Sequence, residues 1–224
     1  MRRAVILIFV LIPLFSGASL ADERLMDLLG GIQKNYGHLP GLKLDYTREV
    51  ITRSMAIMGN KVKGDLATGE IYFKPPYFLR LEQFSPKPES IITNGNTLWW
   101  YIPDKGQAYQ YPSKDFGKEL KLLSDIFRGL SQVEDTFQVV LLGKDEEGES
   151  QIQLNPVPPW QDINSIVLTV TRSHHMRVIE IHNQLGGITR FTLKDLRSKK
   201  DFDKGFFHFV VPEGVKLVKE GNHH

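Results

Sequence analysis

Side chains able to do covalent or metal chemistry are few in this chain, and their spacing does not suit it. None of the 224 residues is cysteine, which removes thiol nucleophiles, thiolate ligands and disulfides together. Neither a Gly-x-Ser-x-Gly elbow nor a His-Glu-x-x-His zinc helix occurs. His174-His175 invites a metal reading, but neighbours in a strand point to opposite faces, so the pair reads as a turn or surface feature. His223-His224 lies in a polar tail. Asp195, Arg197, Lys199, Lys200, Asp201 and Asp203 read as a solvated turn, and Arg80 with Glu82 as a surface ion pair. The expectation is a protein that is not an enzyme and holds no metal or cofactor.

What the sequence concentrates instead is apolar and aromatic surface, between Gly69 and Pro112. At a two-residue period this stretch divides into strands at Gly69–Lys74, Tyr77–Phe84, Glu89–Thr93, Thr97–Ile102 and Gln107–Tyr111. Lys74-Pro75-Pro76, Ser85-Pro86-Lys87-Pro88, Asn94-Gly95 and Pro103-Asp104-Lys105-Gly106 separate them. Asn94-Gly95 suits a type I′ hairpin, because both residues tolerate positive φ. That hairpin sets Ile91, Leu98, Trp100 and Ile102 on one face and Ile92, Trp99 and Tyr101 on the other. An antiparallel sheet with one wet face alternates apolar with polar. Here both faces are apolar, so both must be covered.

The elements around this meander follow from the same periodicities. Met1-Arg2-Arg3, an apolar run from Ala4 to Phe15 and small residues at Ser19 and Ala21 spell a secretory signal peptide, 1–21, cleaved before Asp22. Residues 22–224 then form a single domain. Losing Arg2 and Arg3 takes the basic count from 28 to 26, equal to the 26 acids, so bulk charge does not favour nucleic acid. Leu25, Leu28, Leu29, Ile32 and Tyr36 mark an amphipathic helix, stopped by Gly37 and Pro40. Leu42–Arg53 reads as a strand, and Ser54–Asn60 as an apolar turn with two methionines: a folded-back hairpin tip or a lip beside a ligand opening. After Pro112-Ser113, a second helix carries Phe116, Leu120, Leu123, Phe127 and Leu130 on one stripe, widened by Leu122 and Ile126. Strands follow at Thr136–Leu142, Ser150–Leu154, Ser165–Thr171, Arg177–His182, Thr189–Leu196 and Gly205–Val211. So many consecutive antiparallel strands must curl. The expected architecture is α+β, an incomplete, unclosed antiparallel β-barrel with its helices as a lid over an apolar cavity.

Several runs resemble LolA, the family of periplasmic carriers of bacterial outer-membrane lipoproteins. They are Gly69-Glu70-Ile71-Tyr72-Phe73-Lys74-Pro75-Pro76, Phe78-Leu79-Arg80, Thr93 to Pro103 with Gln107, and a closing Phe207-His208-Phe209-Val210-Val211-Pro212-Glu213-Gly214-Val215. The resemblance spans nearly all of the chain after residue 21 and implies the same unclosed barrel with a helical lid. One position departs from it. Members often have a basic residue before the proline, credited with latching the lid, where this chain has Pro75. Lys74 lies one residue earlier and should face the other way.

The expected cavity lining is Ile71, Phe73, Leu79, Leu81, Trp99 and Tyr101 from the sheet, with Leu123, Ile126 and Phe127 from the lid; a bulge that shifts the register would put Tyr72, Trp100 and Ile102 in the sheet positions instead. The resemblance implies a monomeric periplasmic carrier whose ligands are the acyl chains of lipoproteins. Its partners would be an inner-membrane ABC-type releasing complex and an outer-membrane lipoprotein acceptor. A carrier of another lipid and a lipoprotein-binding envelope-stress sensor remain as alternatives. The Met55–Met58 lip and the Leu79 region are the expected contacts with the releasing complex.

Overall fold

The computed structural model describes residues 18–58, 64–112 and 122–219. Strands β1 (Leu42–Ile51), β2 (Asp65–Lys74), β3 (Phe78–Ser85), β4 (Glu89–Thr93), β5 (Thr97–Ile102) and β6 (Gln107–Pro112) form the first half. Strands β7 (Phe137–Lys144), β8 (Ser150–Pro156), β9 (Ile163–Val170), β10 (Met176–Asn183) and β11 (Ile188–Ser198) form the second, and a short β12 (Lys216–Lys219) closes the chain. All belong to one 12-stranded sheet in the order β12-β6-β5-β4-β3-β2-β1-β11-β10-β9-β8-β7. Neighbouring pairs are antiparallel apart from β12 on β6, which is parallel. The end strands β7 and β12 do not pair with each other, so the sheet curls into a barrel that stays open.

The two halves meet at β1 and β11, whose register shifts between Lys43 and Asp45. On the outer side of this seam Arg190 ties three strands together. Its Nη1 donates to Glu49 Oε2 at 3.0 Å and its Nε to Glu180 Oε1 at 2.7 Å. Hydrogen bonds from His182 and Arg190 outweigh burial and hold the Glu180 carboxyl below the ordinary glutamate range.

Helix α1 (Ala18–Tyr36) lays its apolar stripe against the concave face of the sheet. Leu28, Ile32 and Tyr36 are buried, with Leu25 and Leu29 packed beside them. Its docking is specific. A Cβ on Gly31 would lie 2.3 Å from the His174 ring, so only glycine lets the β9–β10 turn approach this closely. Asn35 Nδ2 donates to Ser173 O at 2.7 Å, and Tyr36 Oη accepts the Met176 N–H at 2.9 Å. His174-His175 is thus a turn that seats a helix. A second helical run, 122–127, puts Leu122, Leu123, Ile126 and Phe127 into the same buried cluster. It ends where Gly129 and Leu130 take positive φ, with Leu130 N–H returning to Asp125 O. Leu130 is buried but lies past the helix, and Phe116 and Leu120 fall outside the described residues.

Four other expectations change. Asn94-Gly95 is not a type I′ turn, because Gly95 has a positive φ and Asn94 does not. Thr93 pairs with Leu98, and Asn94 Oδ1 accepts the Asn96 and Thr97 N–H groups, each at 3.0 Å. The side chain supplies a turn that the sequence pattern assigned to backbone. The apolar stretch after β1 is a short helix, α2 (Arg53–Met58). The cluster from Asp195 to Asp203 belongs partly to the end of β11. Finally, Gly205–Val211 is irregular. Phe207, Phe209 and Val211 alternate as a strand would, yet these aromatic rings pack onto a finished sheet. Residues 202–209 cross the outer face of the meander: Phe206 meets Tyr72 edge-on at 5.0 Å, Phe207 lies 5.6 Å from Phe78, His208 5.3 Å from Trp99, and Phe209 5.2 Å from Tyr101. Arg80 pairs with Glu82, stacks over Phe206 at 4.9 Å and donates to its carbonyl. The meander is therefore covered on both sides, by helices within and by this segment without.

Candidate lipid-binding face

Which residues line the concave face follows from register. Leu42 pairs with Phe73 and Leu44 with Ile71; Ile71 and Phe73 pair in turn with Leu81 and Leu79. Leu79 and Leu81 continue to Thr93 and Ile91 on β4. Thr93 with Leu98 then joins an odd-numbered residue to an even-numbered one, so on β5 the inward set is Leu98, Trp100 and Ile102.

Seven of the nine residues expected to line a cavity meet in one buried cluster: Ile71, Phe73, Leu79, Leu81, Leu123, Ile126 and Phe127. The Phe73 and Phe127 rings stand 5.9 Å apart, joining wall to helix. Trp99 and Tyr101 are not among them. They face the opposite side, beneath His208 and Phe209, because the hairpin swaps parity between β4 and β5. Trp100, whose Nε1 donates to Glu89 Oε2 at 3.0 Å, takes the inward place. Leu79 is wholly buried, so it belongs to the wall and presents no surface to a partner. Of the Met55–Met58 lip, Met55 is half-buried at the start of α2.

The far half of the barrel extends the same lining through Ile152, Leu154, Ile166, Leu168, Ile179 and Phe191. Periodicity finds these strands, but a strand's period alone does not say that its inward face belongs to the site. Their alternation is the signal that finds them, once the sheet is known to close over a single interior.

At the helical end, Lys74 points outward and exposed, while Pro75 and Pro76 border a groove of about 320 Å³ with Gln33, Tyr36 and Arg128. The basic group at this junction comes from the other side: Arg128, just after the 122–127 helix, lies 5.7 Å over the Tyr77 ring. Burial pushes two phenols up to about 12, that of Tyr36 and that of Tyr46, which lies on the concave face beside Phe191. Among the described residues no group of three or more histidine or acidic side chains is placed to hold a metal ion. No helix among them is long and apolar enough to cross a membrane.

Helices pressed into the apolar concavity of an unclosed, curled antiparallel sheet define the fold class of this chain. The profile of the family described as "Outer membrane lipoprotein carrier protein LolA" matches residues 58–210, and the chain belongs to this family. An outer-membrane lipoprotein carrier protein of Hahella chejuensis is 22% identical over 214 residues, covering 94% of this chain and 98% of the relative. One of Methylobacillus flagellatus is 24% identical over 174 residues, covering 77% and 80%. Among solved structures, an uncharacterized conserved protein of Thermus thermophilus superposes with a TM-score of 0.55 at 11% identity, covering 88% of this chain and 99% of that one. That likeness shows the fold alone. Proteins of the carrier family bind and are not enzymes.

Proposed function

We propose that this chain is exported, loses residues 1–21, and works in the periplasm as a monomeric carrier of lipoproteins. It takes their acyl chains from an inner-membrane ABC-type releasing complex and passes them to an outer-membrane acceptor. One observation supports this above the rest: the apolar concave wall of Ile71, Phe73, Leu79 and Leu81 is covered by the Leu123, Ile126 and Phe127 side chains of the helical run 122–127, which is not part of the sheet. Such a cover can be exchanged for acyl chains without breaking a strand pairing.

The energetics require a carrier of this kind. Three acyl chains hold roughly 40 methylenes, and at about 0.8 kcal/mol each their transfer through water costs on the order of 30 kcal/mol. A carrier must hide much of that surface and still release it. Helices that return to the groove offset the loss of the ligand, so release needs no external energy source.

Native mass spectrometry of the protein purified from periplasm without detergent tests the reading. Adducts that dissociate to acylated lipoproteins are expected. Adducts of a free phospholipid or glycolipid would redirect the cargo to another lipid. A bare mass that persists with excess lipoprotein would overturn the carrier function.

A further inference from the structure

The concave face is graded. Inward residues run Leu42, Leu44, Tyr46, Arg48 along β1 and Leu79, Leu81, Gln83 along β3. The end beneath Phe127 is apolar and the other end polar. There Arg48 Nη2 donates to Gln83 Oε1 at 3.1 Å, while Gln83 Nε2 turns to Lys87 O. Arg48 is half-buried, and none of the ion pairs among the described residues involves it. Its Nε is buried without a hydrogen-bond partner, and so is the Tyr46 hydroxyl, in a side chain only 3% exposed. Two orphaned polar groups, one of them on a cation, sit at the polar end of the concave face, where its apolar stretch stops. Buried donors are almost always paired, and a buried guanidinium Nε–H left without an acceptor costs stability unless one arrives.

We infer that Arg48 and Tyr46 form a seat for acceptor oxygens in the head of an acyl lipid, whose chains then run along the groove toward Leu79 and Phe73. The inference rests on the carrier reading and adds a polar subsite and a direction of binding. An ester carbonyl and a phosphate both present such oxygens, and the two sources are separable.

Dioctanoylglycerol, its dioctyl ether analogue and dioctanoyl phosphatidate serve as probes in calorimetric titrations of the wild type, Tyr46→Phe and Arg48→Met. Thermal melts of the same proteins without ligand run alongside. Tyr46→Phe should keep or raise ligand-free stability, because no partner is lost, yet bind the preferred lipid about tenfold more weakly. A carbonyl source makes the wild type prefer ester to ether. A phosphate source makes it prefer phosphatidate to the glyceride. In either case both variants should lose the preference. Wild-type binding with affinities unchanged in both variants overturns the seat and leaves the carrier standing. No binding of any probe by the wild type overturns both.

Discussion

Tyr36 and Tyr46 are two buried phenols with opposite hydrogen-bond standing, and the contrast yields a measurable difference. Tyr36 Oη accepts the Met176 N–H and so joins α1 to β10. Replacing Tyr36 by phenylalanine leaves that buried donor without an acceptor and should cost about 1–3 kcal/mol. Tyr46→Phe removes a hydroxyl that has no partner and should be neutral or stabilising. Both phenols titrate near 12 in the folded chain, against 10 for the ordinary group. The folded state therefore holds these protons more tightly than the unfolded state does. Their contribution is complete below pH 10 and is lost as pH rises from 10 to 12. Denaturant melts across that interval should show a falling stability whose slope is shallower in Tyr46→Phe. An unchanged slope would mean that Tyr46 titrates normally.

At the scale of elements, the seating of α1 depends on absent atoms as much as on contacts. Alanine at position 31 gains roughly 1 kcal/mol of helix propensity over glycine, but its Cβ would meet the His174 ring at 2.3 Å. Gly31→Ala is expected to destabilise the wild type. In a His174→Gly background, where the ring is gone and the positive φ at 174 relaxes, the same change should stabilise by up to about 1 kcal/mol. Equal effects in both backgrounds would show that the ring does not constrain the helix. This coupling joins residues far apart in the chain, and local pattern is blind to it. The stripe Leu28, Ile32, Tyr36 and most strands were legible because burial on one face imposes a period. The parity of β5 was legible too: a hairpin that sets Ile91 beside Trp100, with Ile91 beside Leu81, already places Trp99 and Tyr101 outward, away from the seven expected lining residues that do meet inside. Phe207 and Phe209 misled because alternation reports a shared face and not a ladder, and those rings use it against a sheet already complete.

For the whole molecule, the two coverings of the meander differ in kind. Ile71 and Phe73 face inward from the strand on which Tyr72 faces outward. One wall thus carries the 122–127 helix on its concave side and the Phe202, Phe206, Phe207 cluster on its convex side. The outer segment continues into β12, which pairs with β6 and places Lys216 and Lys219 at the edge of the sheet, where lysine discourages further strand addition. It fixes the wall, whereas on the carrier reading the inner helix yields to ligand. Phe127→Ala and Phe207→Ala each empty a buried aromatic site and should each cost about 3–5 kcal/mol in the ligand-free protein. On the carrier reading the cavity left by Phe127 opens onto the groove that takes the lipid, so an acyl chain can refill it. The one left by Phe207 lies across the sheet, beyond reach. Saturating dioctanoylglycerol should therefore raise the melting temperature of Phe127→Ala by more than that of the wild type, and that of Phe207→Ala only as much as the wild type. Equal gains in the two variants would mean that the inner helix is as permanent a part of the core as the outer segment, and that acyl chains do not replace it.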